Sequence, residues 1–174
     1  MGAKQGKLKA RLKGSKIAKR LKHGPPSITA AQKQILEKSW STMRDDISQV
    51  GIITFIGFFE ANPEVKHMFV SFRSVPIADL RQSSLLRAHA LRVMSMVEKC
   101  VTRLDELDKI EETMKNLGQR HLKFDAVPEN IDLMGPHFVQ AIRKCMEADW
   151  NKETEEAWFQ LFKLMTYYMK EGWK

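Results

Sequence analysis

Two of the five histidines, His89 and His121, sit where a side chain can do chemistry. His89 follows Leu85 and Leu86 and precedes Val93, and His121 follows Met114 and Leu117, so both fall on the apolar stripes of amphipathic helices. A neutral imidazole nitrogen is a strong ligand for iron held in a flat macrocycle. Two such histidines on facing helices, with phenylalanines between them, can clamp that macrocycle from both faces. A lone histidine on an apolar face is more often a satisfied core residue, so on the residues alone both readings stay open. The other three differ: His23 lies in a basic segment, while His67 and His137 read as surface or helix-end residues.

Most other chemistry is excluded. The chain has no phosphate-cradling glycine loop, no nucleophile elbow, and no HExxH or CxxC zinc spacing. The acid pairs Glu111-Glu112 and Glu155-Glu156 read as solvated helix faces. Cys100 and Cys145 form no metal or disulfide pattern and read as small buried hydrophobes.

The elements that must position the histidines are helical. A length of 174 residues suits one domain, and six prolines with nine glycines favour long helices over a many-stranded sheet. Thr29 and Gln32 form a capping box ahead of a first helix at 29–44, striped by Ile35, Leu36, Trp40 and Met43. A second spans 46–61, with Phe55, Phe58 and Phe59 in its stripe and with Gly51 and Gly57 predicting a close helix crossing. Asn62-Pro63 breaks it, and 63–76 is predicted to be a short irregular connection carrying Met68, Phe69 and Phe72. Pro76 opens a long segment with Leu80, Leu85, Leu86, His89, Val93, Met96, Val97 and Val101 on one side. Further helices are predicted at 110–122, from Pro128 to about Ala148 with Phe138 inward, and after an Asn151 cap. The fold class is all-α, with six to eight helices.

The net charge of +8 is unevenly spread. Residues 1–26 carry nine Lys or Arg and no acid, which leaves 20 basic against 21 acidic residues in 27–174. Gly24-Pro25-Pro26 marks the boundary between a basic, disordered arm at 1–26 and a neutral domain at 27–174. No apolar leader opens the chain and no run is long enough to span a bilayer, so an intracellular place is expected.

From Thr29 to about Gly172 the sequence resembles a globin. Trp40 matches the tryptophan of the family's first helix, and Phe59, Asn62-Pro63 and Phe69 match its helix end, proline corner and haem-contacting phenylalanine. Leu117-Gly-Gln-Arg-His121 is similar to the proximal-histidine segment, Val127-Pro128 to the stretch that opens the next helix, and His89 with Val93 to the distal segment. The resemblance implies a globin fold around haem b (iron protoporphyrin IX). It makes His121 the fixed iron ligand and His89 the residue facing the sixth position. Phe69 would stack on the porphyrin, and Phe55, Phe72, Val93, Leu117, Val127 and Phe138 would line the haem. Arg92 would reach a propionate, or else stand as an exposed helix charge.

Within the family, the 32-residue spacing of His89 and His121 and the Leu-Gly-Gln-Arg-His segment look most like neuroglobin and globin X. That likeness implies a bis-histidyl iron and work in redox, NO or nitrite chemistry, or gas or redox sensing. The alternative is a five-coordinate oxygen carrier or store. Nitrite reductase or NO dioxygenase activity stays open, since no dedicated catalytic motif decides it. The implied partners are O2, NO, CO or nitrite and an electron donor. The neuroglobin-type cysteine pair after Phe69 is missing. In the arm, Gly2 begins a partial myristoylation signal with Gly6 where Ser or Thr is preferred, and the lysines suit an anionic membrane surface. The place implied is the cytoplasm or the cytoplasmic face of the plasma membrane. A solubilising tail is the competing reading, and nucleic-acid contact ranks below both.

Overall fold

The computed structural model describes residues 24–124 and 126–174; the basic segment with Gly2, Gly6 and His23 lies outside them. The first helix starts where the capping box puts it. Thr29 Oγ1 accepts from Gln32 N at 3.2 Å, Gln32 Oε1 accepts from Thr29 N at 3.0 Å, and α1 runs Ala30–Met43. A 3-10 turn, Arg44–Asp46, leads into α2, Ile47–Ala61. Pro63 opens the one-turn helix α3, Pro63–Lys66, and a second short helix, α4, spans Ile77–Leu80.

Beyond Pro76 the structure departs from the single long segment expected. Ser83 starts a new helix by accepting from Leu86 N at 3.3 Å, so α5 is Ser84–Val101. Its inward line is Leu86, Ala90, Met94, Val97 and Val101. Leu85 is 51% exposed, against expectation, because it shares the neighbouring line with the half-buried His89 and Val93. That second line runs along the edge of the core, not through it.

Helix α6 covers Leu107–His121 and passes into a 3-10 turn, Leu122–Phe124. Helix α7, Pro128–Met146, has Pro128 in its first turn. A further 3-10 turn, Glu147–Asp149, precedes α8, Lys152–Glu171, where Asn151 Oδ1 accepts from Thr154 N at 2.8 Å. The all-α expectation holds across the described residues.

The core divides in two. The larger cluster gathers α1, α6, α7, α8 and the far half of α5 around Trp158, which is fully buried. Trp158 Nε1 donates to Ser39 Oγ at 3.0 Å, tying α8 to α1. The smaller cluster joins α2, the 63–76 connection, α4 and the start of α5 through Phe55, Phe58, Phe59, Phe72 and Leu86. Met134 of α7 packs against both.

Glycines mark where helices touch. A Cβ on Gly51 would lie 2.8 Å from Ala90 Cβ, so α2 crosses α5 there as the sequence predicts. Gly57 meets only His137 Nδ1, at 3.4 Å, and marks no backbone crossing. His137 is correspondingly half-buried inside α7, 6.0 Å from the Phe58 ring, not at a helix end.

Candidate metal centre

Helix α6 buries Ile110, Met114 and Gly118 and reaches the edge of the core at His121, in its last turn. There the His121 ring is half-buried, and its Nδ1 lies 2.9 Å from the carbonyl oxygen of Leu117. An N–H on Nδ1 donating to that carbonyl leaves Nε2 with a free lone pair, which is the tautomer a metal needs. The Trp173 ring stands 6.1 Å away, tilted by 53°.

Across the edge of the core, α5 presents His89. Its imidazole is enclosed by Phe55 at 5.0 Å, Phe69 at 5.5 Å and Phe72 at 6.1 Å, all roughly edge-on. Phe55 comes from α2, while Phe69 and Phe72, stacked at 5.3 Å, come from the connection. Buried Lys66 closes that connection, its Nζ donating to Arg73 O at 2.6 Å. Burial holds the His89 pKa down, from 6.5 to about 4, with the charge of Arg92 and then that of His121 adding to the effect. His89 is therefore neutral at pH 7 and keeps a lone pair to give. His121 lies near enough for its charge to be felt at His89.

The structure thus gathers Phe55, Phe69 and Phe72 around His89, with Val93 one turn on along α5 and with Arg92 and His121 near enough to act on its charge. Val127, 43% exposed, follows His121 at the corner before α7. Leu117 packs against the larger cluster. Phe138 lies in that larger cluster as well, its ring 5.9 Å from Trp158 and 5.8 Å from Phe162. Leu122, Lys66 and Trp173 join the surroundings without a sequence signal beyond the position of Leu122 beside His121.

These residues suit a flat iron macrocycle. Among the described residues no three His, Cys, Asp or Glu side chains group to hold a bare ion, whereas a haem brings its own ring nitrogens and asks the protein only for axial ligands. Leu85, Leu122 and Val127 turn apolar surface outward beside the two histidines, at 51%, 49% and 43% exposure. A hydrophobic ring edge covers such surface at a gain of roughly 25 cal/mol per Å2. Arg92, exposed at the same edge, suits a propionate.

The globin family model matches residues 54–169. The neuroglobin of Tetraodon nigroviridis is 22% identical over 147 residues, covering 84% of this chain and 92% of that protein. An anaerobic nitrite reductase of Gossypium hirsutum is 26% identical over 137 residues, 77% and 83% of the two chains. Among solved structures, a hexacoordinated haem protein from an anhydrobiotic tardigrade superposes with a TM-score of 0.80 at 21% identity, over 84% of this chain and 96% of its own. Ferric Aplysia limacina myoglobin with azide bound gives 0.73 at 20%, over 85% and 100%. At these identities the structural matches speak to the fold.

Proposed function

The chain belongs to the globin family, and from that premise, which implies haem, we propose that His121 and His89 both bind the iron of haem b in a six-coordinate site of the neuroglobin type. The observation that carries the reading is His89 itself, ringed by Phe55, Phe69 and Phe72, held neutral by burial, and near enough to His121 for its charge to be felt. When bound, the haem supplies an iron that exchanges one electron and takes small ligands. His121 holds it through Nε2, with Nδ1 committed to Leu117 O. Phe69 stacks on the ring; Phe55, Phe72 and Val93 keep water from the distal face; Leu117 and Val127 pack the proximal edge; Arg92 pairs with a propionate.

His89 must swing away before O2, CO, NO or nitrite can enter. Ligand affinity is then lowered by the fraction of time His89 spends off the iron. Such a site serves electron transfer from a separate donor, NO or nitrite chemistry, or sensing better than bulk oxygen storage. The Gossypium hirsutum relative, named as a nitrite reductase, supports the nitrite reading. One observation favours a five-coordinate oxygen store instead: three phenylalanine rings hold the His89 imidazole without help from iron.

Part of the proposal concerns place. No helix among the described residues is long and apolar enough to cross a membrane, so attachment would fall to the arm through Gly2 acylation and its basic residues. Vesicle flotation of the full chain against Gly2→Ala checks that part, and equal flotation ends the acyl idea.

The ferrous, ligand-free absorption spectrum tests the centre. Sharp low-spin bands are expected, turning broad in His89→Leu, with haem retention weakened in His121→Gly. A broad band in the parent protein selects the oxygen store, and no Soret band ends both readings.

A further inference from the structure

One side chain outside this site touches both ends of the link that carries His121 into α7. Trp173 lies just past α8, half-buried, its ring 6.1 Å from the His121 ring at an interplanar angle of 53°. Its Nε1 donates to the carbonyl oxygen of Ala126 at 3.2 Å, immediately before Val127. The indole therefore leans against the imidazole at a tilt and ties down the following corner with its N–H.

Two glycines put it there. A Cβ on Gly118 would run into the Met169 carbonyl and lie 3.4 Å from Gly172 Cα, and a Cβ on Gly172 would run into the Lys115 carbonyl. Helix α6 and the end of α8 thus touch backbone to backbone, one turn before His121. Trp173 N then donates to Lys170 O at 3.1 Å, which keeps the chain turning so that the next side chain falls on that last turn of α6. Side-chain contacts this far apart in sequence hold their register only where the backbones cannot slide.

We propose that Trp173 is a positioning residue for His121, setting the lean of its imidazole while the Leu117 carbonyl sets its rotation. The proposal rests on the reading that His121 binds iron. A ligand ring fixed by one hydrogen bond still pivots about it. A tilted aromatic contact against the ring removes that freedom before iron arrives, and an ordered side chain is worth about threefold to tenfold in affinity. The N–H bond to Ala126 holds the corner carrying Val127, so the haem edge and its ligand are positioned by one residue. A phenylalanine keeps the ring contact and loses the bond; a leucine loses both and still fills the half-buried space.

The test uses the full chain with haem, as parent, Trp173→Phe and Trp173→Leu, with folding checked by circular dichroism. The iron–histidine stretching band after photolysis of the ferrous CO form reads the His121 geometry, and transfer of haem to an acceptor globin reads retention. The expected result is a shifted, broadened band in Trp173→Leu with haem loss about tenfold faster, and a parent-like band in Trp173→Phe with loss about threefold faster. A parent-like band and loss rate in Trp173→Leu overturn the proposal, as does the same band shift in both variants. If the parent shows no iron–histidine band, the ligand reading itself has failed. NMR of the haem-free protein then decides Trp173. A single His121 rotamer that spreads into several in Trp173→Leu upholds the positioning role, and no change in rotamers overturns it.

Discussion

The two sides of the site are built from different kinds of contact. On the His121 side, α6 lies against the end of α8 backbone to backbone at Gly118 and Gly172, and the imidazole has a hydrogen bond to Leu117. On the His89 side, α5 meets α2 at Gly51 mainly through the Ala90 and Met94 side chains, with the Ala90 carbonyl oxygen further off at 3.3 Å, and the imidazole is held by ring edges. Directional bonds and backbone contact give one position; apolar contact gives a shallow well. A ligand that must stay suits the first arrangement, and one that must come and go suits the second.

Removing a large ring from each core is the strongest way to break this comparison. Phe72 and Phe138 are both 2% exposed, and replacing either with alanine is expected to cost about 3–5 kcal/mol of stability. Only Phe72→Ala takes a ring from around His89. It should therefore change the balance between His89-bound and open iron in the ferrous spectrum, whereas Phe138→Ala should leave that balance alone. Equal spectral changes would mean that the two clusters act as one.

The helix crossings come next. A methyl at Gly118 has only backbone in its way, so Gly118→Ala is expected to cost about 3 kcal/mol or more in urea unfolding. At Gly51 the obstacles are Ala90 Cβ at 2.8 Å, the flexible Met94 Cγ at 3.2 Å and the Ala90 carbonyl oxygen at 3.3 Å, all further off than the Met169 carbonyl is from Gly118, so Gly51→Ala should cost only about 1–2 kcal/mol. Equal costs would remove the claim that the His121 side is the stiffer.

Acid separates the sides more gently. Unfolded, His89 takes a proton near 6.5; folded, only near 4. Between those values the unfolded chain binds more protons, so the haem-free protein loses stability as the pH falls from about 6.5 to about 4, and this contribution levels off below that. The loss is expected to be about 3 kcal/mol, and His89→Leu should remove it from the pH profile. If the profiles of parent and variant coincide, the phenylalanines do not desolvate the imidazole.

Much of this was legible in the sequence, because helices and caps are local. Thr29 with Gln32, Asn151 and Pro128 open helices where their side chains dictate, and the order of motifs around His89 and His121 was enough to suggest the family. What escaped depends on distant partners. Leu85 has the right type for the core and the wrong neighbours, since a stripe read at helical spacing does not say which line faces inward. Of the two glycines that signalled a crossing, Gly51 makes one and Gly57 does not, while Gly118 and Gly172 make a tighter one. Trp173 gains its place only once α6 and α8 are side by side.

Lys66 was equally hidden, since a lysine in a polar connection reads as solvated. It is 9% exposed, and its Nζ–H bond to Arg73 O closes the segment holding Phe69 and Phe72 across seven residues. A hydrogen bond from a charged donor in a half-buried place is worth about 1–2 kcal/mol, so Lys66→Met, which keeps the apolar stem, should cost about that much. The larger consequence is local. With the clasp gone, Phe69 and Phe72 loosen around His89, and CO binding to the ferrous protein should show a changed rate of His89 release while haem loss stays near the parent value. Such a split would show that the His89 side can be tuned without touching the His121 side. If haem loss instead rises with the change in release rate, the connection supports both faces together, and the division between a locked ligand and a loosely held one no longer describes this protein.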